Sequence, residues 1–286
     1  MRETPDLECI SSKNTLNTYR FALEEFFSWY EAAKGEAFAP DRVTSTDLRE
    51  YQEYLQTVKK TNRGTPFRPS SVNLYMRAVR VFLKWAETKG YGKAPTFPKR
   101  VELQNVPPKT LTRAEQDLLL REAERRGKAR DVALVQLLMS CGLRVSEVVS
   151  VKVSDLNKRQ SVLTVRGKGG MYREVPVPPE ARRALRKWLE ERKKKYPGSE
   201  YLFSGRREGH VTVRYVEKLV KDLGQIARLE IHPQVLRQTA AANMMEAGAD
   251  LVTVAKILGH FTLNAVAIYR KPNIEKMAEA LERGEV

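Results

Sequence analysis

Cysteine is nearly missing from this chain of 286 residues: only Cys9 and Cys141 occur, far apart and without metal-ligand spacing around them. That excludes a disulfide framework and fits a reducing compartment. No apolar run approaches the roughly 20 residues that a membrane-spanning helix needs. The opening MRETPDLECISSK lacks the charged-then-apolar layout of a secretory signal, and no long internal repeat or low-complexity tract is present. The expectation is a soluble, cytoplasmic protein with no membrane partner. Acidic residues are also the minority, with 35 Asp and Glu against 51 Lys and Arg, a formal net charge of +16 and a sequence pI near 9.8. Such an excess favours a polyanion, because each phosphate neutralised releases condensed counterions. On charge alone a basic protein without a nucleic-acid partner is the alternative.

The length exceeds one average domain, and 42% hydrophobic residues suffice for two modest cores. Between positions 14 and 33, Leu16, Tyr19, Leu23, Phe26, Phe27 and Tyr30 recur at helical spacing. Thr46-Asp47-Leu48 opens a second helical pattern, and 70–87 carries a third. Periodicity stops over 92–108, where Pro95, Pro98, Pro107 and Pro108 stand among Lys93, Lys99 and Arg100. This predicts an N-terminal helical domain over 1–107, ending in a basic linker, and a second domain over 108–286. Thr112 with Glu115 forms a capping box at the start of the second. Residues 161–166 and 172–177 alternate as strands around the turn 167–170, which makes a hairpin. Helical patterns follow at 180–196, 213–227, 236–247, 250–258 and 274–283. The fold class is therefore mainly α with a small antiparallel sheet in the C-terminal domain.

Several residues there could carry chemistry, and each has an ordinary alternative. Arg144, in GLRVSE, stands at the positive end of a helix, which is mildly unfavourable without an anion nearby; otherwise it is a solvated surface arginine. Lys168 projects from a glycine-rich turn, where lysines are commonly just solvated. Arg237 lies among Leu236, Ala240 and Ala241 and needs an anionic partner, either an internal carboxylate or a bound phosphate. His260 follows a helix over 250–258 closed by Gly259, where a histidine can simply complement the helix dipole. Tyr269, after Val266 and Ile268, reads by itself as a core aromatic.

Taken together, these motifs resemble the tyrosine recombinases and phage integrases, particularly the Xer-type recombinases. Arg144 stands in GLRVSE, Lys168 in GKGG, Arg237 in LRQT, His260 in LGH, and Tyr269 nine residues beyond that histidine. The helical N-terminal stretches NTLNTYRFALEEFFSWY and SVNLYMRAVRVFLKWAETKG are similar to the family's core-binding domain, though less specific. The resemblance implies a two-domain clamp on double-stranded DNA. Tyr269 would be the nucleophile, Arg144, Arg237 and His260 would stabilise the phosphate, and Lys168 would be the general acid. A 3′-phosphotyrosine intermediate would conserve bond energy, so no cofactor, metal or ATP is implied. Recombination by a tetramer on two DNA sites is implied too, with IEKMAEALERG docking on a neighbour; a second recombinase as partner is left open. The enzyme alternative is a type IB topoisomerase, and the non-enzyme one a DNA-binding accessory protein of weakened activity.

One departure from the family pattern touches catalysis. Gln234 stands three residues before Arg237, where the family has a histidine, and His232 stands two residues earlier. Glutamine can donate a hydrogen bond but cannot become a cation at neutral pH. Either Gln234 takes the family position or His232 moves into it. Gln238, where a histidine often follows the arginine, is a second difference.

Overall fold

The apolar stripe of the first helical pattern lies on α1 (Lys13–Lys34), which packs with α2 (Ser45–Thr57) and α3 (Pro69–Thr88). The computed structural model describes residues 13–103, 108–205 and 209–259. Phe26 and Tyr30 of α1, Leu48, Tyr51 and Leu55 of α2, and Val72, Val79 and Leu83 of α3 form the core of this bundle. The ring of Phe26 meets that of Tyr51 edge-on at 4.8 Å, a favoured aromatic geometry. Helix α2 begins before Thr46, because Thr44 and Asp47 cap each other reciprocally. Part of the stretch that reads as linker is docked on this bundle. Asn73 exchanges two hydrogen bonds with the backbone of Val101, at 2.8 and 3.0 Å, and Gln52 donates to the carbonyl of Lys99. An extended strap pinned by side-chain amides has no periodicity for a sequence pattern to reveal.

The chain divides into two compact units, Met1–Asn105 and Val106–Val286. In the second, α4 (Arg113–Arg125) starts at the Thr112–Glu115 capping box. It is followed by α5 (Ala129–Cys141), α6 (Val145–Ser150), β1 (Val162–Arg166), β2 (Tyr172–Pro176), α7 (Pro179–Lys195), α8 (Val213–Ile226), α9 (Pro233–Glu246) and α10 (Leu251–Leu258). Helix α5 is apolar nearly all round and is accordingly central, packed against α4, α6, α7, α8 and α9. β1 and β2 pair antiparallel, with Val165 opposite Arg173 and Arg166 opposite Tyr172. Helix α9 begins three residues before the expected 236, since Pro233 at its first position has a backbone preset for a helix start. The pattern at 274–283 lies outside the described residues. Among the described residues no helix is long and apolar enough to cross a membrane.

Two left-handed glycines bring the helix ends together. Gly142 closes α5 at φ 62°, and a Cβ there would stand 2.5 Å from Leu258 and 3.3 Å from Ala240. Gly259 closes α10 at φ 65°, and a Cβ there would stand 2.9 Å from the guanidinium of Arg173. Glycine is required at both for conformation and for space. The ends of α5 and α10, with α9 beside them, thus meet at one place.

Candidate active site

Arg144 is the N-cap of α6, and the anion that its position calls for is Glu147, one helical turn on. The backbone N–H of Arg144 donates to Oε2 of Glu147 at 2.8 Å, and its guanidinium NH1 donates to Oε1 at 2.9 Å. The same guanidinium reaches the end of α10, donating to the carbonyls of Leu258 at 3.4 Å and Gly259 at 3.1 Å. These carbonyls lack intrahelical partners and form the negative end of the helix dipole. Its Nε–H and the second hydrogen on NH2 have no partner among the described residues. With its side chain 34% exposed, Arg144 can turn those donors to a bound anion.

Arg237, on α9, is 2% exposed. It donates to the carbonyl of Gly142, two residues before Arg144, and to that of Leu258 at 2.6 Å, while the Glu147 carboxylate stands 4.0 Å away. Backbone carbonyls thus receive two of its N–H groups. A third guanidinium completes the cluster. Arg173, on β2, grips Glu147 through two parallel bonds of 2.8 and 2.9 Å, and its Nε–H donates to the carbonyl of Ile257 at 2.8 Å. Ile257, Leu258 and Gly259 thus present successive carbonyls to three arginines.

Burial pushes the pKa of Glu147 upward, but the hydrogen bonds from Arg173 and Arg144 outweigh it and hold the carboxyl below its ordinary range. The cluster then contains three guanidinium charges and one carboxylate, an excess of two positive charges. A preorganised, partly buried excess of this kind suits a singly charged group that gains negative charge during a reaction.

Of the residues singled out in the sequence, Arg144 and Arg237 are brought together here. Lys168 lies in the turn between β1 and β2. That turn is closed by the Gly167 N–H donating to the Met171 carbonyl at 2.7 Å, with Gly169 and Gly170 at φ 79° and 81°. Gln234 sits on α9 three residues before Arg237 and so on the same face, whereas His232 is the extended N-cap outside the helix. Both are exposed. His260 and Tyr269 lie outside the described residues.

Sequence reasoning did not single out Glu147 or Arg173. Glu147 carried a signal, an acidic residue at the third position of a helix whose N-cap is an arginine. Arg173 carried one too: strand alternation puts it on the same face as Val175, which is fully buried, and a cation on a buried face implies a partner.

Comparison with known proteins adds to this geometry. The model described as "Phage integrase family" matches residues 109–276, and that described as "Phage integrase, N-terminal SAM-like domain" matches 10–93. The chain is 30% identical to tyrosine recombinase XerA of Pyrococcus furiosus, over 95% of this chain and 88% of that protein. It is likewise 30% identical to tyrosine recombinase XerC of Leptospira interrogans, over 95% and 87%. Among solved structures, XerH site-specific recombinase bound to its difH substrate matches at a TM-score of 0.73 and 21% identity, covering 94% of this chain and 79% of that one. The Tn1549 transposon integrase in complex with circular intermediate DNA matches at 0.71 and 18%, covering 95% and 94%.

Proposed function

The chain belongs to the phage integrase family and is a tyrosine recombinase, and on that premise we propose that Tyr269 attacks a DNA phosphate held by Arg144, Arg237 and His260, with Lys168 as general acid. It is a site-specific DNA recombinase. In the cleavage step the phenolic oxygen of Tyr269 forms a bond to phosphorus and its proton passes to water. The bond from phosphorus to the 5′ oxygen breaks, the electron pair leaves on that oxygen, and the Lys168 ammonium supplies its proton. A 3′-phosphotyrosine and a free 5′-hydroxyl result, and attack by a 5′-hydroxyl in the reverse sense reseals the strand.

A tyrosine with a pKa near 10 needs cations beside it to act as a nucleophile, and the non-bridging oxygens need donors already in place as charge builds on them. The observation that carries the assignment is the meeting of the Arg144 and Arg237 guanidiniums at the end of α10, one residue before His260 in the chain. Gln234, one helical turn before Arg237, is the residue we assign to the family's histidine position.

The DNA partner follows from the charge excess and from the family. In the helical unit, Arg77, Arg80 and Arg100 line a groove with Gln52, Asn73 and Phe97, and the Arg80 guanidinium lies 4.7 Å over the Phe97 ring. This offers a phosphate-binding surface separate from the catalytic cluster. We propose that the domains 1–107 and 108–286 both engage the duplex, and that four copies assemble on two sites in the cytoplasm. Incubation with nicked suicide duplexes that carry candidate sites tests the assignment. A covalent protein–DNA band is expected from the wild type and none from Tyr269→Phe; a band from both would place the nucleophile elsewhere.

A further inference from the structure

Beyond these roles, we propose that Arg173 is a positioning residue: it anchors the strand that carries the Lys168 turn to the phosphate-binding arginines, so that leaving-group protonation depends on it. The proposal rests on the reading of Lys168 as general acid given above.

The β1–β2 hairpin is the whole sheet among the described residues, and the other edge of β1 is held at its base, by the bridge of Leu156 with Leu163 and the bond from the Asn157 N–H to the Val162 carbonyl. Its attachment ends at the rung of Val165 and Arg173. Val165 is 1% exposed and packs in the core, and Arg173 opposite it is fixed by three hydrogen bonds to α6 and α10. Beyond that rung every described side chain is exposed or half-exposed, with Met171 at 58% and Tyr172 at 68%. Lys168 stands just past this last anchor, three residues after Val165.

The anchor is made with the cluster itself. Glu147 receives Arg173 on both carboxylate oxygens and Arg144 on the same two, so one carboxylate sets both the hairpin and the first phosphate ligand. The Nε–H bond to Ile257 ties the strand to the helix whose following carbonyls receive Arg144 and Arg237. Gly259 is needed for this arrangement, since a Cβ there would meet the Arg173 guanidinium at 2.9 Å. A fork-shaped, planar cation is the side chain that can make all three bonds at once; lysine would keep the charge and lose the fork.

General acid catalysis contributes about 10²–10⁴-fold, and a displacement of about 1 Å can cost on the order of 10²-fold. If Arg173 acts by placing Lys168, its loss should be felt only when the leaving group needs a proton. Replacing the bridging 5′ oxygen at the scissile phosphate by sulfur removes that need, because a thiol with a pKa of about 8.5 leaves as the thiolate.

Single-turnover cleavage of matched oxygen and sulfur suicide substrates by the full chain tests this, with DNA binding and thermal melting measured beside it. Arg173→Ala should slow the oxygen substrate by roughly 10–100-fold and stay within about threefold of wild type on the sulfur substrate. Arg173→Lys should lie between, roughly three- to tenfold slow on oxygen and rescued by sulfur; it decides the matter if the alanine variant does not fold. Lys168→Ala, measured in parallel, should be rescued in the same way. An equal deficit of the Arg173 variants on both substrates, with Lys168→Ala rescued, would overturn the inference and place Arg173 with phosphate binding or the fold. Lys168→Ala that sulfur does not rescue would overturn the general-acid reading, and the inference with it. Wild-type rates for both Arg173 variants on oxygen would overturn the inference alone.

Discussion

Arg144 and Arg237 donate to one and the same carbonyl, that of Leu258, at 3.4 and 2.6 Å. They come from different helices and lie far apart in sequence, yet the last turn of α10 fixes the distance between them. The carbonyl of Gly142 receives Arg237 as well, two residues before Arg144. The backbone that delivers one arginine therefore holds the other.

Gly142→Ala should accordingly damage the site as well as the fold. The residue has φ 62°, and an added Cβ would stand 2.5 Å from Leu258, so α10 must move away from α5. The expected cost is about 2–4 kcal/mol in stability, with a loss of cleavage larger than the loss of DNA binding. Chemical denaturation and single-turnover cleavage check it; a fully active, fully stable variant would show that the two helix ends are not constrained as described.

Tyr269→Phe should abolish the covalent adduct and leave DNA affinity within a few-fold, since only the nucleophilic hydroxyl is lost. Tyr172 and Tyr215 are the other tyrosines of this domain that a surviving adduct would bring forward, and Tyr215 is poorly suited. Burial, followed by its 2.6 Å bond to Asp131, raises the pKa of its hydroxyl. Tyr215→Phe should therefore keep the adduct while lowering the melting temperature, because Asp131, fully buried and with Oδ2 already unpartnered, loses a donor.

For the departure at Gln234, two variants separate the possibilities. Gln234→His should raise the cleavage rate by about tenfold, because a charge-assisted bond to the phosphate is roughly twice as strong as a neutral one. His232→Ala should change the rate little, the residue lying outside α9. The opposite outcome, with a rate loss for His232→Ala and no gain for Gln234→His, would put His232 at the phosphate.

Glu147 gives the fold an acid-sensitive point. Its folded pKa is depressed below the ordinary 4.5, so the native state binds the proton less readily than the unfolded chain. The stability this contributes is present in full above about pH 4.5 and is lost as pH falls through the lower, folded pKa. Glu147→Gln should cost about 3 kcal/mol at neutral pH, since it leaves the largely buried Arg173 without its counter-charge. The gap to wild type should then close as pH drops below 4.5. Urea denaturation of both proteins between pH 3 and 7 reads this directly, and a gap independent of pH would mean that the carboxylate charge is not what stabilises the site.

The sequence by itself determined the helical bundle, the hairpin and the order of the chemical residues, because each rests on local rules. Helical spacing marked α1, α3 and α10, the Thr112–Glu115 box marked the start of α4, and Gly259 marked a helix end that a left-handed residue closes. The same string placed Arg144, Lys168 and Arg237 in short motifs, each with an ordinary alternative by itself and legible through their combined order. It did not show that the strap near Val101 belongs to the bundle, because two side-chain amide bonds leave no period behind. Nor did it show that Glu147 serves two arginines, or that Arg173 serves the site at all. Those roles depend on α6, β2 and α10 meeting, and the meeting is decided by burial: a carboxylate 4% exposed must be neutralised by whatever cations the packed elements bring to it.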